Sequence, residues 1–254
     1  MKNKYSFKFG VIVLSLVLIA CSGGSADVGC PEIDGREINV VATTPMIGEF
    51  VRNVGGDNIN LTVLMPPEAD PHSYEPAPQD AGTIADADLV FYTGLMYEPS
   101  PLVELLENSV CGSEALAEVG ESVFPIEFKE GGHDDHDDHG EKGHDDHDEE
   151  GHDDHDDHGG HEGHGHGAYD PHFWFDPNRV VYASEFIESK LIELDPSNAA
   201  SYQAAGDTYA TELSSLTGQV SQLIGSIPSQ NRKLITTHES LGYLEAKFGL
   251  EVLS

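Results

Sequence analysis

Basic residues are scarce. The 254-residue chain carries 12 Lys and Arg against 46 Asp and Glu, a formal net charge of −34 at pH 7. A surface of that sign repels nucleic acid and anionic lipid and draws cations, so no nucleic-acid partner is expected. Cysteine is confined to Cys21, Cys30 and Cys111, too few for a framework of several bridges. No His-Glu-x-x-His helix and no Ser or Cys nucleophile motif occurs, which removes the usual sequence grounds for a zinc hydrolase or lyase. There is one Trp, Trp174.

Histidine is what the chain has in excess, and its distribution is uneven. Eleven of the 14 lie in a tract of His, Asp, Glu and Gly over residues 131–167: His133, His136, His139, His144, His147, His152, His155, His158, His161, His164 and His166. This tract supplies −14 of the net charge and cannot build a core, so it is expected to be disordered when free of metal. Asp and Glu alone would serve a hydrophilic tether. Eleven imidazoles among carboxylates point instead to weak, multiple, exchangeable metal binding. Three histidines stand apart: His72, His172 and His238.

The N-terminus reads as a targeting segment. Lys2, Lys4 and Lys8 precede the apolar run Val11–Ala20, which is too short to span a bilayer as a helix. Leu18-Ile19-Ala20-Cys21 resembles a bacterial lipobox, with Cys21 the acceptor of lipid. Residues 1–20 are therefore expected to be a signal peptide and 21–35 a lipid-anchored linker on the outside of the membrane. In that oxidising compartment Cys30 and Cys111 are a disulfide candidate.

Beyond residue 36, strand and helix signals alternate. Glu37–Thr43 and Ile59–Met65 are rich in β-branched residues, and Leu89–Tyr92 is a short apolar run. Helical spacing predicts helices over 46–54, 78–87 and 99–108, and a short strand over 115–119. The alternation implies an α/β fold whose parallel sheet is covered on both faces, with ligands outside the carboxyl ends of the strands. Asp176-Pro177 and Asp195-Pro196 each open a helix. The second is expected to run through 196–228, with an apolar stripe of Tyr202, Tyr209, Leu213, Leu216, Val220, Leu223 and Ile227. Lys233–Thr237 is a strand delivering His238, followed by a helix over 241–248 and a further strand start.

His72, His172 and His238 each end an apolar run beside a turn signal, which would set them on one rim. Three neutral imidazoles form a zinc site with an open or carboxylate-filled fourth position. Asp70, Asp170 and Glu239 are neighbours that could fix the imidazole tautomers. Three motifs carry this reading: Asp70-Pro71-His72-Ser73-Tyr74-Glu75-Pro76, Asp170-Pro171-His172-Phe173-Trp174-Phe175-Asp176-Pro177 and Thr237-His238-Glu239-Ser240-Leu241-Gly242-Tyr243. In this order, with the His-rich tract and the long helix between them, they resemble the zinc-binding lipoproteins of metal ABC importers, the ZnuA/TroA-like substrate-binding proteins.

The resemblance implies a two-lobed fold joined by a long backbone helix. The N-terminal α/β lobe would span 36–195, the interlobe helix 196–228, and the start of a C-terminal lobe 229–254. That second lobe is expected to be incomplete, so the fourth metal ligand cannot be assigned. His72 and His172 would be ligands from the first lobe and His238 the first from the second. In the family a carboxylate at the third position goes with manganese and His with zinc; His238 therefore favours Zn²⁺, with Mn²⁺ the alternative. The partners implied are the permease of a metal importer and, through the lipid, the membrane; the receptor itself is expected to be a monomer. Two other readings remain: a zinc hydrolase, since three His and a water also form a catalytic site, and a metal-dependent adhesin.

Overall fold

The computed structural model describes Cys30, Ile33 and residues 35–128 and 167–253. The expected signal peptide, the lipidation site Cys21 and the eleven histidines of the tract lie outside the described residues. Cys30 and Cys111 are joined by a disulfide with the Cα atoms 5.0 Å apart.

Four strands form one parallel sheet: β1 (Ile38–Ala42), β2 (Ile59–Val63), β3 (Leu89–Tyr92) and β4 (Leu116–Glu118), in the spatial order β2-β1-β3-β4. Ala42 pairs with Val63 on one side and Phe91 on the other, so the carboxyl ends finish together on one rim. Helix α1 (Pro45–Gly55) starts where the Thr44 side chain accepts a hydrogen bond from the Ile47 N–H and Pro45 occupies the first turn. Its buried face, Ile47, Phe50, Val51 and Val54, recurs at helical spacing and faces the core. Helices α2 (Pro78–Ala85) and α3 (Ser100–Ser109) cover the opposite face of the sheet, where Ile84, Leu102 and Leu106 are buried with Val41 and Val90.

On the α1 side, α4 (Pro177–Leu194) and α5 (Ala199–Gly225) complete the layer. Asp176 caps α4 by accepting from the Asn178 N–H. Val180, Ala183, Ile187 and Leu191 of α4 are buried with Tyr202 and Leu213 of α5. Residues 196–198 form a separate 3-10 turn rather than the first turn of the long helix. The cause is local: the Asp195 carboxylate accepts from Ser197, Asn198 and the Tyr202 hydroxyl, fixing a tight turn before α5. At 27 residues, α5 is about 40 Å long. Its expected stripe holds only in the first half. Tyr202 and Leu213 are buried, whereas Leu216 and Leu223 are 44% and 69% exposed.

After α5 the chain makes a second, two-stranded parallel sheet of β5 (Lys233–Ile235) and β6 (Glu251–Leu253), joined by α6 (Gly242–Phe248). The first of these strands is shorter than its expected span, and His238 sits three residues beyond it. No helix among the described residues is long and apolar enough to cross a membrane.

Candidate metal centre

The parallel sheet sets the site. His72 lies in the loop after β2, and His172 follows β4 by way of the tract. His238 approaches from the second sheet. These are the three isolated histidines of the sequence, and the fold brings them together: one nitrogen from each lies within 4.8 Å of the others. Ring centroids are 6.0 Å apart for His72 and His172, 5.6 Å for His72 and His238, and 5.1 Å for His172 and His238. Zinc held at about 2.0–2.1 Å by tetrahedral nitrogens would bring them to roughly 3.3 Å of one another. A modest inward rotation of the side chains would supply the difference.

His172 is the fixed member. It is 2% exposed. Its Nδ1 lies 2.7 Å from Asp170 Oδ1, an oxygen that also accepts from the His172 backbone N–H. A carboxylate at Nδ1 holds the proton there and leaves the Nε2 lone pair free to ligate. Nε2 is buried and has no hydrogen-bond partner. A buried nitrogen left without a partner costs free energy unless something completes it, and the nitrogens of His72 and His238 face the same space.

The other two acids stand differently. The Asp70 carboxylate accepts from the His72 N–H and the Ser73 hydroxyl, so it shapes the loop that carries His72. Glu239 lines a cleft of about 380 Å³ between residues 126–128 and α6.

Several site neighbours carried no signal in the sequence reading. Tyr97 is 4% exposed and meets His72 edge-on at 4.9 Å, His172 at 5.6 Å and Trp174 at 5.3 Å. Burial first, then the charges of Glu98 and Asp70, push its phenol well above the ordinary range, so it stays neutral. Tyr97 follows an unusual turn in which Gly94, Leu95 and Met96 have φ of 76°, 53° and 61°. For Leu and Met this conformation costs roughly 1–2 kcal/mol per residue. Gly94 is required twice over, since a Cβ there would run into Glu118. Two carboxylates hold the turn. Glu98, 4% exposed, accepts from the Thr43 hydroxyl and the Thr93 and Gly94 N–H groups; Glu118 accepts from the Leu95 N–H and the Tyr92 hydroxyl. Burial pushes the Glu98 carboxyl up, and its three donors oppose the shift.

Tyr243 closes the other side. Its hydroxyl donates to the Asp170 carbonyl and accepts from the Ile126 N–H. Gly242 lets α6 approach Asp170, because a Cβ there would lie 2.7 Å from Asp170 Oδ2. Within the third motif, Gly242 and Tyr243 thus support Asp170 from across the site.

The family profile described as "ZnuA: Zinc-uptake complex component A periplasmic" matches residues 40–254. The chain belongs to this family. Its members are extracytoplasmic metal-binding receptors of ABC transporters rather than enzymes, which removes the hydrolase alternative. Among curated relatives, the manganese-binding lipoprotein MntA of Halalkalibacterium halodurans is 25% identical over 253 residues, 99% of this chain and 70% of that one. The manganese ABC transporter substrate-binding lipoprotein PsaA of Streptococcus anginosus is 28% identical over 246 residues, 94% of this chain and 68% of that one. Two solved structures share the fold. A crystal structure of ZnuA has TM-score 0.65 and 24% identity, covering 85% of this chain and 69% of that one. The periplasmic zinc-binding protein TroA from Treponema pallidum has TM-score 0.67 and 24% identity, covering 85% and 66%. The ZnuA-family α/β architecture, two bodies linked by a long helix, is the one described above.

Proposed function

We propose that this receptor captures Zn²⁺ at His72, His172 and His238 and delivers it to the permease of an ABC importer. It would do so from the outer side of the membrane, tethered by lipid on Cys21. The observation that carries the reading is the partnerless Nε2 of buried His172 beside two further imidazoles, with one ring nitrogen of each of the three within 4.8 Å of the others. Three nitrogen donors suit zinc better than manganese, which prefers carboxylate and water oxygens. The acidic surface raises the local concentration of any cation near it. The eleven histidines of residues 131–167 would act earlier, as weak binders from which the ion is passed on.

Relatives named for manganese favour a second reading, in which the same three histidines take Mn²⁺ with an added carboxylate. A titration separates the two. The full chain is titrated with zinc, and in parallel with manganese, against a chelator strong enough to strip the tract. The zinc reading expects one tight zinc equivalent and manganese at least 100-fold weaker. Manganese binding as tight as zinc would overturn it. Protons compete with metal for imidazole, so zinc affinity falls on acidification; an affinity unchanged between pH 7.5 and pH 5 would remove histidine from the site.

A further inference from the structure

The left-handed turn at residues 94–96 has an evident cost and no part in the sheet or its core. Its three φ values are positive, two of them at Leu and Met. Side chains usually tolerate this only where the surroundings enforce it and where something is gained. The enforcement is on hand. Three consecutive backbone N–H groups, of Thr93, Gly94 and Leu95, are taken by two carboxylates, Glu98 for the first two and Glu118 for the third. Each carboxylate has a second anchor on the sheet: Glu98 on the Thr43 hydroxyl beyond β1, Glu118 on the Tyr92 hydroxyl at the end of β3. What the turn presents is Tyr97, whose ring touches His72, His172 and Trp174 edge-on. A cleft of about 530 Å³ lies along the same turn, lined by Leu95, Met96, Glu104 and His72. If the turn relaxed, Tyr97 would have room to leave the imidazoles.

We propose that Glu98 and Glu118 are positioning residues for the metal site, acting through Tyr97. They lock the 94–96 turn, the turn fixes the Tyr97 ring against His72 and His172, and the ring sets how far apart those two ligands stand before metal arrives. The inference rests on the three-histidine reading. It assigns the spacing of the two first-lobe ligands to an aromatic ring packed edge-on against both rather than to the metal. Neither carboxylate needs to touch the ion.

The test is a zinc titration of the full chain against a competing chelator, with a cobalt(II) absorption spectrum of each variant and its thermal unfolding. Outer-sphere supports of metal ligands are worth about 10–100-fold in affinity, and Tyr97→Ala is expected to lose that much and to change the cobalt spectrum. Tyr97→Phe keeps the ring and should restore most of the affinity. Glu98→Gln turns an amide NH₂ toward the Gly94 N–H, and Glu118→Ala removes the acceptor of Leu95; each should weaken zinc, by less than Tyr97→Ala does. The decisive result is the double substitution. With Tyr97 already Ala, adding Glu118→Ala should cost nothing further, because the carboxylate acts only through the ring.

Multiplying losses in the double variant would overturn the inference. So would a folded Tyr97→Ala protein with unchanged zinc affinity and cobalt spectrum. If Glu98→Gln does not fold, Glu118→Ala and Tyr97→Ala carry the same test. His172→Ala, run alongside, tells the two levels apart. Loss of tight zinc there with no effect at Tyr97 sinks the role of the ring alone. Tight zinc retained in His172→Ala sinks the three-histidine reading and the role of the ring with it.

Discussion

The two parts of the molecule that meet at the candidate site are built to different standards. On one side, His72 and His172 hang from the rim of a four-stranded parallel sheet with helices on both faces. On the other, His238 hangs from a two-stranded sheet whose β5 residues are all exposed, Ile235 at 81%. Helix α6 joins the second part to the first: the Tyr243 ring is buried in the main core and lies beneath Arg179, its hydroxyl bonds Asp170 and Ile126, and Lys247 reaches Asp176. The contrast separates preformed from adjustable. On the proposed reading, two of the three ligands and Asp170 would be carried by the packed body. On the same reading the third, carried by the less buried part, would be the one better able to adjust as an ion is captured and released.

The comparison breaks most readily on stability. Ile187→Ala in α4 opens a cavity at a side chain with 0% exposure, and about 2–5 kcal/mol should be lost. Val252→Ala in half-buried β6 should lose under about 1 kcal/mol. Denaturant unfolding of both variants measures this, and equal losses would show that the two regions are one cooperative unit of uniform packing. Ligand loss is next in size. His172→Ala should weaken zinc by 100-fold or more, about 2.7 kcal/mol, and His238→Ala by roughly 10-fold, since the first-lobe pair would still bind. A chelator-competition titration that gave the reverse order would place the fixed half of the site on the wrong side.

Legibility in the sequence follows the same divide. The three ligand candidates could be read because each is a histidine isolated from the tract, standing in its own motif beside a strand or cap. The sheet could be read because β-branched runs alternate with helical spacing. The limits of α5 could not: Asp195-Pro196 signals a helix start equally well whether the next turn is α or 3-10, and only the folded hydrogen bonds of Asp195 decide. Nor could the exposure of Leu216 and Leu223, because periodicity shows that a face is apolar and not what covers it. The turn before Tyr97 is the deepest omission. Gly94 is its one mark in the sequence. Left-handed Leu95 and Met96, and a buried Glu98 that looks like any surface acid, arise from pairings across 4 to 55 residues.

Tyr243→Phe probes the junction at intermediate size. It removes a hydroxyl that donates to one partner and accepts from another, so about 1–2 kcal/mol of stability is expected to go. If α6 supports Asp170, zinc affinity should fall with it by a few-fold. An affinity untouched in a destabilised protein would mean that α6 buttresses the fold and not the ligand.

The smallest effect is the most specific to the junction. Lys247 Nζ lies 3.6 Å from Asp176 Oδ1, and the lysine side chain is 25% exposed. Asp176 also caps α4 through Asn178 and lies 3.8 Å from Arg179, so its charge is already met without Lys247. A partly solvated pair in that position contributes about 0.5 kcal/mol, less in high salt. Lys247→Ala should therefore shift the unfolding midpoint only slightly, and the shift should vanish in 1 M salt. If the second part opens separately from the first, the same variant should speed amide exchange in α6 and β6 while leaving β1 and β3 unchanged. Acceleration spread evenly over both sheets would mean that the two parts open together, and that His238 is no more adjustable than His172.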